Sequence, residues 1–424
     1  MAPTGPDRIY DVVVIGTGVA GALAAYHLKR AGLDVLMLEA GATLPEYETR
    51  RALRRRYVAS FSKAPTSPYV GFVAPQPNAE DSPLIPPDGR DYYIQDYTLP
   101  TDPKKATTKD KLFQSCYQRT LGGSMAHWQG IAIRMVPADF TLDSEGKVPG
   151  AVDWPIEYDD LEPFYHEAEH QIGVAGSEEM DQLLGVRRPS GGFPMTPVPL
   201  SYVDKIFRSK LHGKTFNGQT IAVTATPQAR ITEDSYARQE GRKICEGYGT
   251  CIPMCPTRAK YESLFHIEKA IDLGAEIRTK AIVTKLELAS QESGRISRAI
   301  YKQWNDDVHS VRGKLFILAA NGIESPKLLL LSTQPGAPYG LANSSRTVGC
   351  YLMDHRALLR NTRLLSVLEL KPHTTLSLQI LVIRKATSPT AMPKRHSRFQ
   401  TRFTLFNDRS SQTVPVNSSL RGYA

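Results

Sequence analysis

The chain has 424 residues, 41% hydrophobic and 22% charged, with five cysteines and a formal charge of +9. That is the composition of a globular chain long enough for about two or three domains, and it excludes a low-complexity or collagen-like polymer. No apolar run reaches the ~18 residues that span a bilayer, and the opening MAPTGPDRIY has neither an apolar signal core nor twin arginines, so sequence alone reads as cytoplasmic.

The charge is unevenly placed. Arg356 to Ala424 carries 12 Lys and Arg against 2 Asp and Glu, which leaves 40 against 41, or −1, for the rest. The basicity therefore belongs to one tail. No stacking aromatics or groove-reading motif accompany it, so nucleic acid is not an expected partner.

In chain order, Val12 to Ile15 is a short apolar run of the kind buried in parallel sheets. Gly16, Gly18 and Gly21 follow as G-x-G-x-x-G. Leu23, Ala24 and Leu28 give a helix face ending at Gly32, and Asp34 to Leu38 forms a second strand with Glu39 at its end. Each part has a task. Gly16 allows a tight turn, Gly18 admits a pyrophosphate to the backbone, Gly21 lets helix and strand pack closely, and the helix N-terminus faces phosphate charge. Glu39 can accept from the adenosine ribose hydroxyls, which favours FAD or NAD over NADP.

Residues 121–128, LGGSMAHW, read by themselves as a turn followed by a packed His127–Trp128 pair. DWPIEYDDLEPFY reads as a turn and a helix with Asp159, Asp160 and Glu162 in its first turn, as capping and surface charge and not as catalysts. Gly185 to Leu200, rich in Pro and Gly, reads as a loop.

CEGYGTCIPMCPTRAK then places Cys245, Cys251 and Cys255 within eleven positions, as C-x5-C-x3-C-P, in a loop before a helix from Thr257 to Leu273 that stops at Gly274. Crowded thiols serve as metal ligands, redox partners or disulfide halves. From the residues alone, a cluster, a Cys3His zinc site with His266, a disulfide and free thiols all stay open. Cys116 and Cys350 read as single reduced structural cysteines. Ile277–Leu288, Arg298–Trp304 and Lys314–Ala319 read as three strands, a β-meander appended to a doubly wound sheet. Leu364 to Ile383 alternates like one or two strands, and the polar, basic end reads as disordered.

Together the fingerprint, YQRTLGGSMAHWQGIAIR at 117–134, DWPIEYDDLEPFYHEAEHQIGVA at 153–175, GKLFILAANGIESPKLLLLS at 313–332 and TVGCYLMDH at 347–355 resemble the glucose–methanol–choline (GMC) flavin oxidoreductases. Within them, they are most similar to the bacterial FAD-dependent glucose, fructose, sorbitol and gluconate dehydrogenase branch. The resemblance covers about residues 8 to 355. It implies an α/β fold in which a Rossmann-type FAD-binding domain (8–150 and 221–340) is interleaved with a substrate domain containing β-sheet (151–220 and 341–386), before a disordered basic tail (387–424).

The same resemblance implies FAD on Gly16, Gly18, Gly21 and Glu39. It places Gly122, Gly123 and Ser124 along the pyrophosphate and flavin side, His127 and Trp128 near the ring, and Ala320 and Asn321 beside the dinucleotide. It implies a [3Fe–4S] cluster on Cys245, Cys251 and Cys255, splitting the flavin's electron pair into single steps. The expected reaction oxidises a CH–OH group of a sugar or polyol and passes electrons to a cytochrome. A small chaperone-like subunit could carry such a chain to a periplasmic, membrane-associated complex.

The match fades after His355. The family's C-terminal catalytic His has no counterpart: His373 and His396 lie in unmatched sequence, no catalytic residue is assigned, and the end reads as truncated or misread. The rival expectations are a catalytically inactive FAD-binding homologue and an oxygen-using oxidase in which the cysteines are incidental.

Overall fold

In a computed structural model of the protein, the structure describes residues 8–41, 94–96, 116–126, 128–144, 150–216, 218–247, 251, 255, 257–292, 294–303, 307–352, 378–382 and 401–405. His127, His355, His373 and His396 lie outside the described residues, as does the side chain of Cys116. The chain divides into two units: one of residues 1–60, 68–199 and 225–354, the other of 61–67, 200–224 and 355–424.

The first unit is built on a six-stranded sheet. The apolar run becomes β1 (Ile9–Ile15), buried on both faces from Val12 to Ile15. It is followed by helix α1 (Val19–Arg30) and β2 (Val35–Leu38). β2 lies parallel to β1, with Val12 opposite Val35 and Ile15 opposite Leu38. Gly32, at φ +80°, turns the chain after α1. The helix face differs from expectation: its buried residues are Gly21, Ala22 and Ala25, with Leu28 packed at the margin, whereas Leu23 and Ala24 are only half-buried. Small residues face the sheet because α1 lies close to it, leaving no room for a leucine.

Two short strands, β3 (Ile94–Asp96) and β4 (Cys116–Gln118), pair as an antiparallel ribbon. Helices α2 (Tyr158–Ile172) and α3 (Glu178–Leu184) follow. Asp160 accepts from the Glu157 N–H at 2.8 Å and Asp159 pairs with exposed Arg187 at 2.9 Å, as capping and surface charge should. Glu162 corrects that reading. It is 1% exposed and salt-bridged at 2.8 Å to Arg134, itself 4% exposed, and it accepts from the Ser190 hydroxyl. Arg134 also holds Glu169 at 2.8 Å, and Arg188 bonds the same Glu169 oxygen. This network ties α2 to residues 134 and 188–190 from the inside, because a buried carboxylate persists only with its charge matched and its lone pairs satisfied. Residues 186–200 form neither helix nor strand.

In the second unit, helix α4 (Tyr202–Leu211) is capped by Ser201, which accepts from the Asp204 N–H, and runs into the hairpin β5 (Thr215–Phe216) and β6 (Gln219–Thr220).

Back in the first unit come α5 (Asp234–Glu240) and α6 (Leu264–Asp272), the latter followed by Gly274 at φ +86°. The predicted helix from Thr257 starts only at Leu264. The backbone of 259–261 is committed elsewhere: Ile231 N–H donates to Ala259 and Tyr261 N–H to Ala229, and Arg258 has φ +57°. The predicted strand 277–288 divides into β7 (Glu276–Arg278) and β8 (Ile282–Leu288). Lys280, at φ +56°, ends the extended run, so β7 joins β2 in parallel while β8 leaves for the meander. β9 (Ile296–Lys302) and β10 (Val308–Leu318) complete it.

β10 starts well before the expected Lys314, and its eleven residues serve two ladders. Val308–Arg312 pairs antiparallel with β9, and Arg312–Leu318 pairs parallel with β1. The order β7-β2-β1-β10-β9-β8 is therefore one sheet, with the meander appended as expected. Helix α7 (Asn321–Leu331) follows β10. One face of the sheet packs Val12, Val14, Val35 and Met37 against Ala22 and Ala25 of α1 and Ile267 and Ala270 of α6. The other packs Val13, Ile15, Leu36 and Leu38 with Leu286, Tyr301 and Leu328.

In the second unit, β11 (Leu378–Val382) pairs antiparallel with β12 (Thr401–Leu405), so five residues of the tail read as disordered form a strand; the rest of 387–424 lies outside the described residues.

Candidate functional site

The fingerprint loop sits where β1, β2, β10 and α1 meet. Gly16 has φ +95°, and a Cβ there would lie 2.5 Å from the Ala319 carbonyl oxygen, so only glycine lets the β10–α7 turn come this close. A Cβ on Gly21 would lie 2.0 Å from the Gly16 oxygen, which is the close helix–strand packing expected of that position. Gly18 is different. Among the described residues a Cβ there meets nothing within 4 Å beyond its chain neighbours and its own helix backbone, and it is the N-cap of α1, with no described side chain capping the helix and no acid in its first turn. Ala22 is the first residue to donate along α1, to Gly18 at 2.9 Å, so the N–H groups before it lead the helix ladder toward that open space. The arrangement suits a phosphate.

Glu39, at the end of β2, is 6% exposed. Its Oε2 accepts from the Thr17 N–H at 3.1 Å and the Thr17 hydroxyl at 2.5 Å, and its Oε1 from the Gly41 N–H at 2.8 Å. Burial pushes its carboxyl pKa above the usual range, against the lowering pull of Thr17, Gly41 and nearby Arg119.

The LGGS turn lies against this loop. Gly122 and Gly123 both have positive φ, a Cβ on Gly123 would lie 3.5 Å from the Gly18 Cα, and the Gly122 N–H donates to the Thr17 hydroxyl at 3.0 Å. Ser124 is exposed in the short 3-10 turn Gly123–Ala126. Trp128 packs against the buried cluster of Val174, Ala229, Tyr261 and Phe265, and its indole N–H donates to the Tyr261 carbonyl at 2.8 Å. Ala320 borders the same loop, its Cα 3.1 Å from a Cβ built on Gly16. Asn321 has its side-chain oxygen engaged by the Ile323 and Glu324 N–H groups, both at 2.9 Å, so it caps α7. Thr17 is the residue that motif reading passed over. It is one of the variable positions of G-x-G-x-x-G, and only its burial and three bonds single it out.

Of the cysteine loop, residues 245–247, 251, 255 and 257–260 are described. Cys255 is buried, Cys251 and Cys245 half-buried, and none of the three is in a disulfide. Burial pushes the Cys251 thiol pKa up; Arg230 and Lys260 pull it down, while Cys255 and Cys245 push it up from nearby. Among the described residues, however, no group of three His, Cys, Asp or Glu is gathered so as to hold a metal ion. Lys260 is fully buried, its ammonium donating to the carbonyls of Trp128 at 2.9 Å and Cys251 at 3.0 Å. It thus braces the LGGS–Trp128 segment to the cysteine loop.

His266 is not aimed at the thiols. Its Nδ1 lies 2.8 Å from the Tyr261 hydroxyl and its Nε2 3.3 Å from Gln171, which removes the Cys3His reading. Burial, with Lys269, His27 and Arg242 nearby, lowers its pKa to about 3. Cys350 is exposed, contrary to its expected structural role. No helix among the described residues is long and apolar enough to cross a membrane.

Comparison with known proteins bears out the resemblance. The FAD dependent oxidoreductase (DAO) family profile matches residues 11–93. The chain is 34% identical over 350 residues to the fructose dehydrogenase large subunit of Gluconobacter japonicus, covering 81% of this chain and 58% of that one. It is 28% identical over 355 residues to the 2-methyl-1,2-propanediol dehydrogenase of Mycolicibacterium austroafricanum (81% and 55%). It is 24% identical over 370 residues to the gluconate 2-dehydrogenase flavoprotein of Pantoea cypripedii (80% and 55%). The chain thus spans a little over half the length of the curated relatives it matches.

Proposed function

We propose that this chain, a relative of FAD-dependent dehydrogenases and oxidases of the GMC type, binds FAD and oxidises a CH–OH group of a sugar or polyol. The observation that carries the reading is the open space over Gly18. A glycine whose added Cβ would meet no described atom within 4 Å beyond its chain neighbours and its own helix backbone, at the uncapped head of a twelve-residue helix, is backbone left bare for a ligand. Gly16 and Gly21 are glycines for packing; Gly18 is one for a pyrophosphate.

FAD supplies the acceptor for the hydride that leaves the carbinol carbon. The chain's own residues do the rest. The head of α1 receives the pyrophosphate, Glu39 accepts from the ribose, and Gly122, Gly123 and Ser124 line the flavin side with His127 and Trp128, while Ala320 and Asn321 border the nucleotide. Residues 151–220 and 341–386 are read as the substrate-facing part. No residue is assigned as the base that takes the hydroxyl proton.

The finer reading concerns the electrons. Cys245, Cys251 and Cys255 would be the residues to hold a [3Fe–4S] cluster, which would supply one-electron transfer from the flavin to a cytochrome, in a complex with a small partner subunit. Its support is the donor set: three cysteines, none of them in a disulfide, with Cys245, Cys255, Arg230 and Lys260 all close enough to Cys251 to act on its charge, the two cations being placed to offset a cluster's negative charge.

The test is anaerobic mixing of the FAD-loaded chain with fructose, glucose, gluconate and polyols. The flavin should bleach with at least one of them, and re-oxidation should follow addition of a dye or cytochrome acceptor. FAD that binds but bleaches with none of them would leave a binding protein; peroxide formed in air without an acceptor would make it an oxidase.

A further inference from the structure

Thr17 is fully buried and stands in a directional chain of hydrogen bonds. The Gly122 N–H can only donate, so at 3.0 Å it directs a proton to Thr17 Oγ1. The Thr17 hydroxyl proton is then free for Glu39 Oε2, 2.5 Å away. The Thr17 main-chain N–H fills the second acceptor position of that oxygen at 3.1 Å. On the other oxygen, Oε1, the Gly41 N–H takes one position at 2.8 Å. A carboxylate offers about four acceptor positions. Among the described residues three are filled, and the fourth is on Oε1.

We propose that Thr17 is the positioning residue of the dinucleotide site: its hydroxyl turns Glu39 so that Oε1 meets the ribose, and by holding Gly122 it links adenosine binding to the glycine turn on the flavin side. This rests on the FAD reading above and deepens it. The link is short and buried at every step, and the turn it holds abuts Gly18, where a Cβ on Gly123 would be 3.5 Å from the Gly18 Cα. When the ribose engages Glu39, the turn is fixed with it. Without the Thr17 hydroxyl, Oε2 keeps only a main-chain donor, and the Gly122 N–H loses its acceptor in a buried place.

The experiment titrates the full-length apo chain with FAD and with AMP, which carries the ribose but no flavin. Thr17→Val should weaken both by about 10- to 100-fold, the loss of one charge-assisted hydrogen bond, and Thr17→Ser should bind within about threefold of wild type. Glu39→Gln should weaken both as well, and adding Thr17→Val to it should cost less than threefold more, because Thr17 acts through Glu39.

Wild type provides a second measurement that needs no variant. AMP should slow amide exchange across residues 120–126. Additive effects of the two substitutions, full affinity in Thr17→Val, or no protection of 120–126 by AMP would each overturn the proposal while leaving FAD binding intact. If wild type binds neither FAD nor AMP, the cofactor reading itself falls, and this one with it.

Discussion

Replacing Gly18 with valine separates binding from folding. At Gly18 the backbone has φ −59° and ψ −174°, comfortable for a β-branched residue, and among the described residues an added Cβ meets no atom within 4 Å outside the adjoining backbone. The cost to the apo fold is therefore that of a poorer N-cap, about 1 kcal/mol, or a fall in Tm of about 2–4 °C. The cost to FAD is larger. A branched side chain fills the space in front of the helix head and removes the pyrophosphate from about two backbone N–H donors. At about 1.5–3 kcal/mol for each charge-assisted bond, affinity falls by roughly 10² to 10⁴.

Gly21→Ala should do the reverse. Its Cβ would sit 2.0 Å from the Gly16 oxygen, so α1 must shift from the sheet, at about 1–3 kcal/mol or more of stability. The assay measures flavin per chain by visible absorbance, and apo Tm by circular dichroism, on both variants. A Gly18→Val protein that retains flavin as wild type does would refute the placement of the pyrophosphate. One that is unfolded without flavin would refute the claim that the space is empty of protein.

Three further outcomes are expected. Arg134→Met should destabilise the fold by about 3–5 kcal/mol in urea unfolding, because Glu162 and Glu169 stay buried without their shared cation; a loss under about 1 kcal/mol would show the network to be solvated. Folding stability should fall with acidification below about pH 6.5, since the unfolded chain binds a proton at His266 that the folded one, with a pKa of about 3, refuses. This term is fully present above 6.5 and is lost at up to about 1.4 kcal/mol per pH unit toward 3, and His266→Gln should flatten the slope; an unchanged slope would place the proton uptake elsewhere. Protein purified without oxygen should carry iron and acid-labile sulfide, and each of Cys245→Ser, Cys251→Ser and Cys255→Ser should remove most of both with FAD retained, since a hydroxyl is a poor substitute for a soft thiolate; zinc, or a mass two units low with no metal, would end the relay reading.

Much of this protein is written in short-range sequence. The β1–α1–β2 unit, its three glycines and the terminal Glu39 are legible from local demands, an apolar run, a positive φ and a bare helix head, even though Gly16 also meets Ala319 from far along the chain. The meander was legible for the same reason, since neighbouring strands joined by short turns need no distant partner. Other features depend on residues far apart in the chain. Glu162 reads as a first-turn acid until Arg134, twenty-eight positions earlier, is seen to lie against it. The helix before Leu264 is given up because residues 229–231 claim the backbone of 259–261. Thr17 carries no motif weight until Gly122 arrives from 105 positions away. Lys260, polar in sequence, is buried because the carbonyls of Trp128 and Cys251 converge on its ammonium. Local sequence sets which backbone shapes are cheap. Only tertiary packing decides which polar groups are taken out of water, because a buried charge survives only where the fold brings it a partner.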